Sequence, residues 1–123
     1  MIAEVSIQIK AIFELRKVIK PDRRIVHPPN EEVRGARTVS KQMALGMCIG
    51  APDIIAFSPV GRPHFLEFKS ENGTLDDAQR DFQLWAIRAN VAHSVVRSVD
   101  EAMHVFEFWG AIPKRAAHDD ARP

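Results

Sequence analysis

The chain has 123 residues, 46% of them apolar and 27% charged, with a formal net charge of +1. That length suits one domain, and that balance suits a soluble globular chain and excludes a disordered one. The longest uncharged run, Gln42–Pro52, is far short of the ~20 apolar residues that a membrane span needs, so no membrane association is expected. The small net charge hides an asymmetry. Residues 16–41 carry eight Lys and Arg against three acids, a local +5 that leaves −4 for the rest. A basic stretch beside an acidic remainder suits an enzyme working on a polyanion, and equally a solvated basic surface.

In chain order, residues 2–19 are expected to form an amphipathic helix with Ile2, Val5, Ile9, Ile12 and Phe13 as its apolar stripe. The N-terminus has no basic region followed by an apolar core, so no signal peptide is expected. Pro21 ends the helix, since proline cannot continue the hydrogen-bond ladder. Arg24–His27 then reads as a short strand closed by Pro28-Pro29-Asn30, and Val39–Cys48 as a helical turn or two loosened by Gly46 and Gly50. Asp53–Phe57 and His64–Lys69 are β-rich runs joined by a Pro- and Gly-containing turn, the pattern of a hairpin. Thr74 is the expected N-cap of a helix reaching about Asn90 and burying Ala78, Phe82, Trp85 and Ala89. Val91–Arg97 reads as a strand. Ser98-Val99-Asp100-Glu101 is a capping-box pattern opening a last helix that carries Ala102, Val105, Phe106 and Trp109. Residues 1–112 are thus expected to make one α/β domain, followed by a loose tail over 113–123.

Chemistry concentrates in the hairpin. Asp53 opens its first strand, and Glu67 and Lys69 interrupt the second two residues apart, on the face opposite Leu66 and Phe68. Burying such charges costs several kcal/mol per ion (order of magnitude) unless they are paired or bind a metal. By itself an E-x-K strand also reads as the solvated face of an antiparallel hairpin with weak ion pairs.

Context weighs against the solvated reading. The order Gly50-Ala51-Pro52-Asp53, strand, turn, strand with Glu67-Phe68-Lys69, then Gly73-Thr74-Leu75-Asp76-Asp77-Ala78-Gln79, resembles the VRR-NUC domain of the PD-(D/E)XK nuclease superfamily. That family's pattern is G-x-P-D, E-x-K and a helix-borne Gln after a G-x-L/S turn, and the likeness extends from Glu4 to about Gly110. The resemblance implies a restriction-endonuclease-like α/β fold, a small mixed β-sheet flanked by helices. It implies a metal-dependent structure-selective DNA endonuclease on branched DNA such as Holliday junctions, acting as a homodimer in the cytoplasm of a bacterium or phage-infected host. Cutting of flaps or single strands, and a silent DNA-binding module, are the alternatives.

Phosphodiester hydrolysis must stabilise charge on the nonbridging, attacking and leaving oxygens. Convergent carboxylates hold hard cations such as Mg²⁺ or Mn²⁺, and Asp53 and Glu67 are the expected ligands. The resemblance adds the backbone carbonyl of Phe68 and, through an E-x-x-x-Q in the first helix, Glu4 beside Gln8. Lys69 is expected to hold or activate the attacking water or to neutralise the transition state, and Gln79 to orient Lys69 or the water. Arg23, Arg24, Arg34, Arg37 and Lys41 are expected to grip phosphates without reading sequence.

The five histidines show no zinc-ligand spacing. Cys48, the only cysteine, excludes an internal disulfide and is expected to be a buried thiol. Trp85 and Trp109 are expected in the core, and His64 in a packing role. Glu14 is expected to pair with Lys10 on the surface. No P-loop or G-x-G-x-x-G is present, so no nucleotide cofactor is expected.

Overall fold

A computed structural model describes residues 3–28, 40–41, 43–46 and 48–115. Its elements run α1 (Glu4–Val18), β1 (Arg24–Val26), β2 (Ile54–Phe57), β3 (Pro63–Phe68), α2 (Asp77–Arg88), β4 (Ala92–Val96) and α3 (Val99–Phe108). The four strands form one sheet in the order β1-β2-β3-β4. β1 and β3 each pair antiparallel with β2, and β4 lies parallel to β3 after the α2 crossover. This is the mixed α/β architecture expected from the resemblance. Between Val39 and Cys48, the amide of Leu45 bonds the Lys41 carbonyl at 3.0 Å, a single helical turn among the described residues.

Strand alternation sorts the sheet into two layers. Ile54, Ala56, Leu66, Phe68 and Val96 face α1 and α3 and close the main core with Ile7, Ala11, Leu15, Ala102 and Phe106. Phe65 and Glu67 face α2, where the Phe65 ring meets Phe82 edge-on at 5.1 Å. The split of β3 into Leu66/Phe68 and Phe65/Glu67/Lys69 faces is as alternation requires.

The buried row of α1 differs from the expected one. Ile7, Ala11 and Leu15 face inward, while Val5, Ile9 and Phe13 stay 62–65% exposed. Both rows are apolar at i, i+4 spacing, so helical periodicity does not choose between them. Ala11, small and wholly buried, lies at the middle of the inward row. Lys17 lies 4.4 Å above the Phe13 ring and covers part of the outward row. The same ammonium, and not that of Lys10, pairs with Glu14 at 3.3 Å.

The cap of α2 also shifts. Asp76 and not Thr74 is the N-cap, and Asp76 and Gln79 form a reciprocal capping box. On α2 only Ala86 is fully buried; Trp85 is 53% exposed and Ala89 is exposed, against expectation. Ser98 caps α3 as expected, and Trp109 packs on Phe106 with ring centroids 5.3 Å apart. His64 packs on Trp109 at 5.0 Å. Arg115, in the stretch expected to be a tail, is held by Glu107 and Asp100 of α3. Residues 116–123 lie outside the described residues. Among the described residues, no helix is long and apolar enough to cross a membrane.

Candidate active site

The site forms where β2 begins and β3 ends. Gly50 has φ +90°, and a Cβ there would meet the Ala78 carbonyl oxygen at 2.3 Å, so the loop entering β2 presses against the first turn of α2. Ala51 and Pro52 are buried behind it. This close approach is a physical reason for glycine three residues before Asp53. The Asp53 carboxylate then reaches across the hairpin, where its Oδ2 accepts a hydrogen bond from the Phe68 backbone N–H at 2.8 Å.

That contact sets Asp53 beside Glu67. Glu67 is 3% exposed and Lys69 7%, the buried charged side chains among the described residues. The solvated-hairpin reading of E-x-K therefore fails. Gln79 Nε2 donates to Glu67 Oε2 at 2.7 Å, while Gln79 Oε1 accepts from the Asp76 N–H at 3.0 Å. The Lys69 N–H donates to the Val96 carbonyl at 2.9 Å, and its ammonium stands 3.9 Å from the Glu4 carboxylate.

Burial dominates the electrostatics. It pushes the Glu67 carboxyl up to about 8, helped by repulsion from Asp53 and opposed by Lys69. Asp53 is likewise raised by burial, against the stabilising Phe68 hydrogen bond. Glu4 adds repulsion to both carboxylates.

The structure thus brings Asp53, Glu67, Lys69, Gln79 and Glu4 to one end of the sheet. The Gln79 amide is turned to Glu67 and not to Lys69, and Glu4 approaches Lys69. Arg23 and Arg24 are not gathered with them. Arg24 pairs with Phe57, at the end of β2 away from Asp53, and its guanidinium bonds the Pro21 and Arg23 carbonyls. Arg23 turns to the Gly110 carbonyl at 2.9 Å. Lys41 is exposed, and Arg34 and Arg37 lie outside the described residues.

One neighbour of the site, His27, was not singled out from the sequence for it. His27 Nδ1 lies 2.7 Å from the Asp53 carbonyl oxygen, and since a carbonyl only accepts, that nitrogen carries the proton. The signal was the antiparallel register, which brings the residue after Val26 level with the start of β2. Gln8 Nε2 stands 3.4 Å from the same His27 nitrogen. Cys48, expected to be buried, is exposed.

A buried and a half-buried carboxylate that repel one another, Glu67 and Asp53, with no thiolate at the site, make a donor set suited to a hard divalent cation. Among the described residues no group of three His, Cys, Asp or Glu side chains is placed to hold an ion, so side chains alone supply a pair. A small cation that keeps several waters fits a pair completed by main-chain oxygen.

No curated protein and no solved structure matches the chain. The model of the VRR-NUC domain matches residues 15–100, a span that holds Asp53, Glu67, Lys69 and Gln79 and leaves Glu4 and Gln8 before it. Nuclease domains of this superfamily generally use divalent metals. With well over half its length matched and the acid pair, lysine and glutamine at one sheet end, the chain belongs to the VRR-NUC domain family, a nuclease domain family of the PD-(D/E)XK superfamily.

Proposed function

We propose that the protein is a metal-dependent, structure-selective DNA endonuclease acting on branched DNA such as Holliday junctions. The observation that carries this reading is the Asp53–Glu67 pair, a half-buried and a buried carboxylate beside buried Lys69, held by the Phe68 N–H and the Gln79 amide. A Mg²⁺ or Mn²⁺ ion held by Asp53, Glu67 and the Phe68 carbonyl would offset their repulsion and supply Lewis-acid stabilisation of the phosphoryl oxygens.

The chain's own groups supply the rest. Lys69 faces the scissile phosphate with an ammonium that holds the attacking water and meets the negative charge as it grows on the phosphoryl oxygens. Glu4, 3.9 Å away, keeps that ammonium turned into the site. Gln79 holds one Glu67 oxygen in place and leaves the other for the cation. His27 fixes the main chain of Asp53.

Phosphate contacts fall to exposed Arg24 and Lys41 together with Arg34 and Arg37, because the Arg23 side chain is largely covered and held on the Gly110 carbonyl. Such contacts read no bases and weaken as salt rises. The outward Val5–Ile9–Phe13 row supports a homodimer. A second copy laid antiparallel on this row would bring the acidic start of one helix, Glu4, toward the basic end of the other, Arg16 and Lys17. Two sites in one dimer would cut both strands of a junction.

The test is cleavage of end-labelled four-way junction, flap and linear duplex in Mg²⁺, Mn²⁺ or EDTA, with Lys69→Ala as control. The reading requires metal-dependent nicking that favours the junction and is lost with the lysine. Equal cutting of all three substrates, or cleavage in EDTA, contradicts it.

A further inference from the structure

The chain leaves β3 through Lys69 into a tight turn, Ser70–Gly73, closed by the Gly73 N–H on the Ser70 carbonyl at 3.1 Å. One guanidinium nitrogen organises this turn. Arg97 Nη1 donates to the Ser70 carbonyl at 2.7 Å and to the Gly73 carbonyl at 2.6 Å, with the Glu71 carbonyl at 3.4 Å. Arg97 is itself anchored at the junction of β4 and α3, where its backbone N–H donates to the Glu101 carboxylate at 2.7 Å. The preceding residue, Val96, accepts the Lys69 N–H. Two adjacent residues thus hold Lys69, one through its own main chain and one through the turn that follows it.

The other side of the turn meets α1. A Cβ on Gly73 would stand 3.5 Å from Glu4 Oε2, the oxygen that lies 3.9 Å from the Lys69 ammonium. The turn is therefore packed between Arg97 and Glu4, and its position governs how Lys69 and Glu4 meet. All three acceptors around Nη1 are main-chain carbonyls, and no described carboxylate forms an ion pair with the group. Its cost of desolvation is met by charge-assisted hydrogen bonds to neutral oxygens. Such an arrangement fixes the backbone of the turn.

We infer that Arg97 is a positioning residue for the nuclease reaction: it clamps the Ser70–Gly73 turn and so sets the Lys69 ammonium against Glu4 and the carboxylate pair. The inference rests on the nuclease reading of the Asp53–Glu67 site. Arg97 touches neither Asp53 nor Glu67; it acts through the turn. Displacement of a reacting group by about 1 Å costs up to about a hundredfold in rate. Loss of the clamp should therefore appear in kcat and leave DNA affinity and metal affinity unchanged.

The test compares wild type with Arg97→Ala, Arg97→Gln and Arg97→Lys. Only the lysine keeps several N–H donors on one cationic nitrogen, which is the part of the guanidinium that the turn uses. Steady-state cleavage should show kcat lowered by about tenfold to a hundredfold in Arg97→Ala and Arg97→Gln, with KM within about twofold, and Arg97→Lys recovering most of the rate. Amide exchange at Ser70 and Gly73, read without DNA or metal, should quicken in the Ala and Gln variants and stay near wild type in Arg97→Lys. A rise in KM with kcat unchanged would make Arg97 a DNA contact and overturn the inference. Unchanged exchange in Arg97→Ala would overturn it too. Absence of cleavage by wild type would sink the nuclease reading, while the exchange series would still decide whether Arg97 holds the turn. Should Arg97→Ala fail to fold, the Lys and Gln pair carries the comparison.

Discussion

Gln79 serves Glu67 and Asp76 with the two ends of one amide. Its Nε2 donates to Glu67 at 2.7 Å and its Oε1 accepts from the Asp76 backbone at 3.0 Å. The residue that completes the capping box of α2 is therefore the residue that fixes the buried carboxylate of β3. Helix start and site geometry share a side chain, which ties local folding to function.

Gln79→Ala should lose both bonds. Unfolding in urea should show a loss of about 1–3 kcal/mol, the range for a helix cap together with a buried side-chain hydrogen bond. Cleavage should slow by at least about tenfold, because Glu67 is then free to rotate. A variant with wild-type rate and reduced stability would leave Gln79 a helix cap only.

Glu67 gives the protein an unusual pH dependence in EDTA. Burial pushes its carboxyl from the ordinary 4.5 of the unfolded chain up to about 8 in the fold, so between these values the folded state holds the extra proton. Stability from this group is complete below about 4.5 and is lost as pH rises through about 8. Melting temperature in EDTA should fall from pH 6 to pH 9, and Glu67→Gln should flatten that slope. A slope unchanged in Glu67→Gln would remove Glu67 as its source.

Two glycines with positive φ separate strain from crowding. Gly61 has φ +82° and nothing within 4 Å of an added Cβ, whereas Gly50 has φ +90° and the Ala78 carbonyl at 2.3 Å. Gly61→Ala should cost only the left-handed penalty of about 1–2 kcal/mol. Gly50→Ala should cost distinctly more and impair cleavage, since the loop before Asp53 must move away from α2. Equal losses in urea unfolding would contradict this packing.

Arg23 should behave as a structural residue. Its guanidinium bonds the Gly110 carbonyl after α3, so Arg23→Ala should lower stability by about 1–3 kcal/mol and leave DNA affinity unchanged. Lys41→Glu should do the reverse, weakening binding on every sequence by a similar factor. Fluorescence anisotropy with a labelled junction at two salt concentrations reads both effects.

The hairpin was legible because alternation is strict there: Leu66 and Phe68 against Glu67 and Lys69 leave one register that buries an apolar face. The cap of α3 was legible for a similar reason, a single Ser followed three residues later by Glu. α1 was not. It carries apolar rows on two faces, and the choice of Ile7–Ala11–Leu15 over Val5–Ile9–Phe13 is made by the sheet and α3, which are distant in sequence. At α2, Thr74 and Asp76 both offer a capping oxygen, and Asp76 takes the cap with Gln79, three residues on, closing the reciprocal capping box. His27 and Arg97 join the neighbourhood of the site through strand pairing and turn packing, and no motif of theirs marks it.

The central claim is that Asp53 and Glu67 together form a divalent-metal site. Calorimetric titration of Mn²⁺ into wild type and Asp53→Asn tests it directly, since the amide keeps the shape and an acceptor for the Phe68 N–H while removing the charge. Wild type should bind Mn²⁺, and Asp53→Asn, with an unchanged fold by circular dichroism, should bind at least about tenfold more weakly, a loss of ~1.4 kcal/mol. Mn²⁺ binding by Asp53→Asn as tight as that of wild type would contradict the assignment.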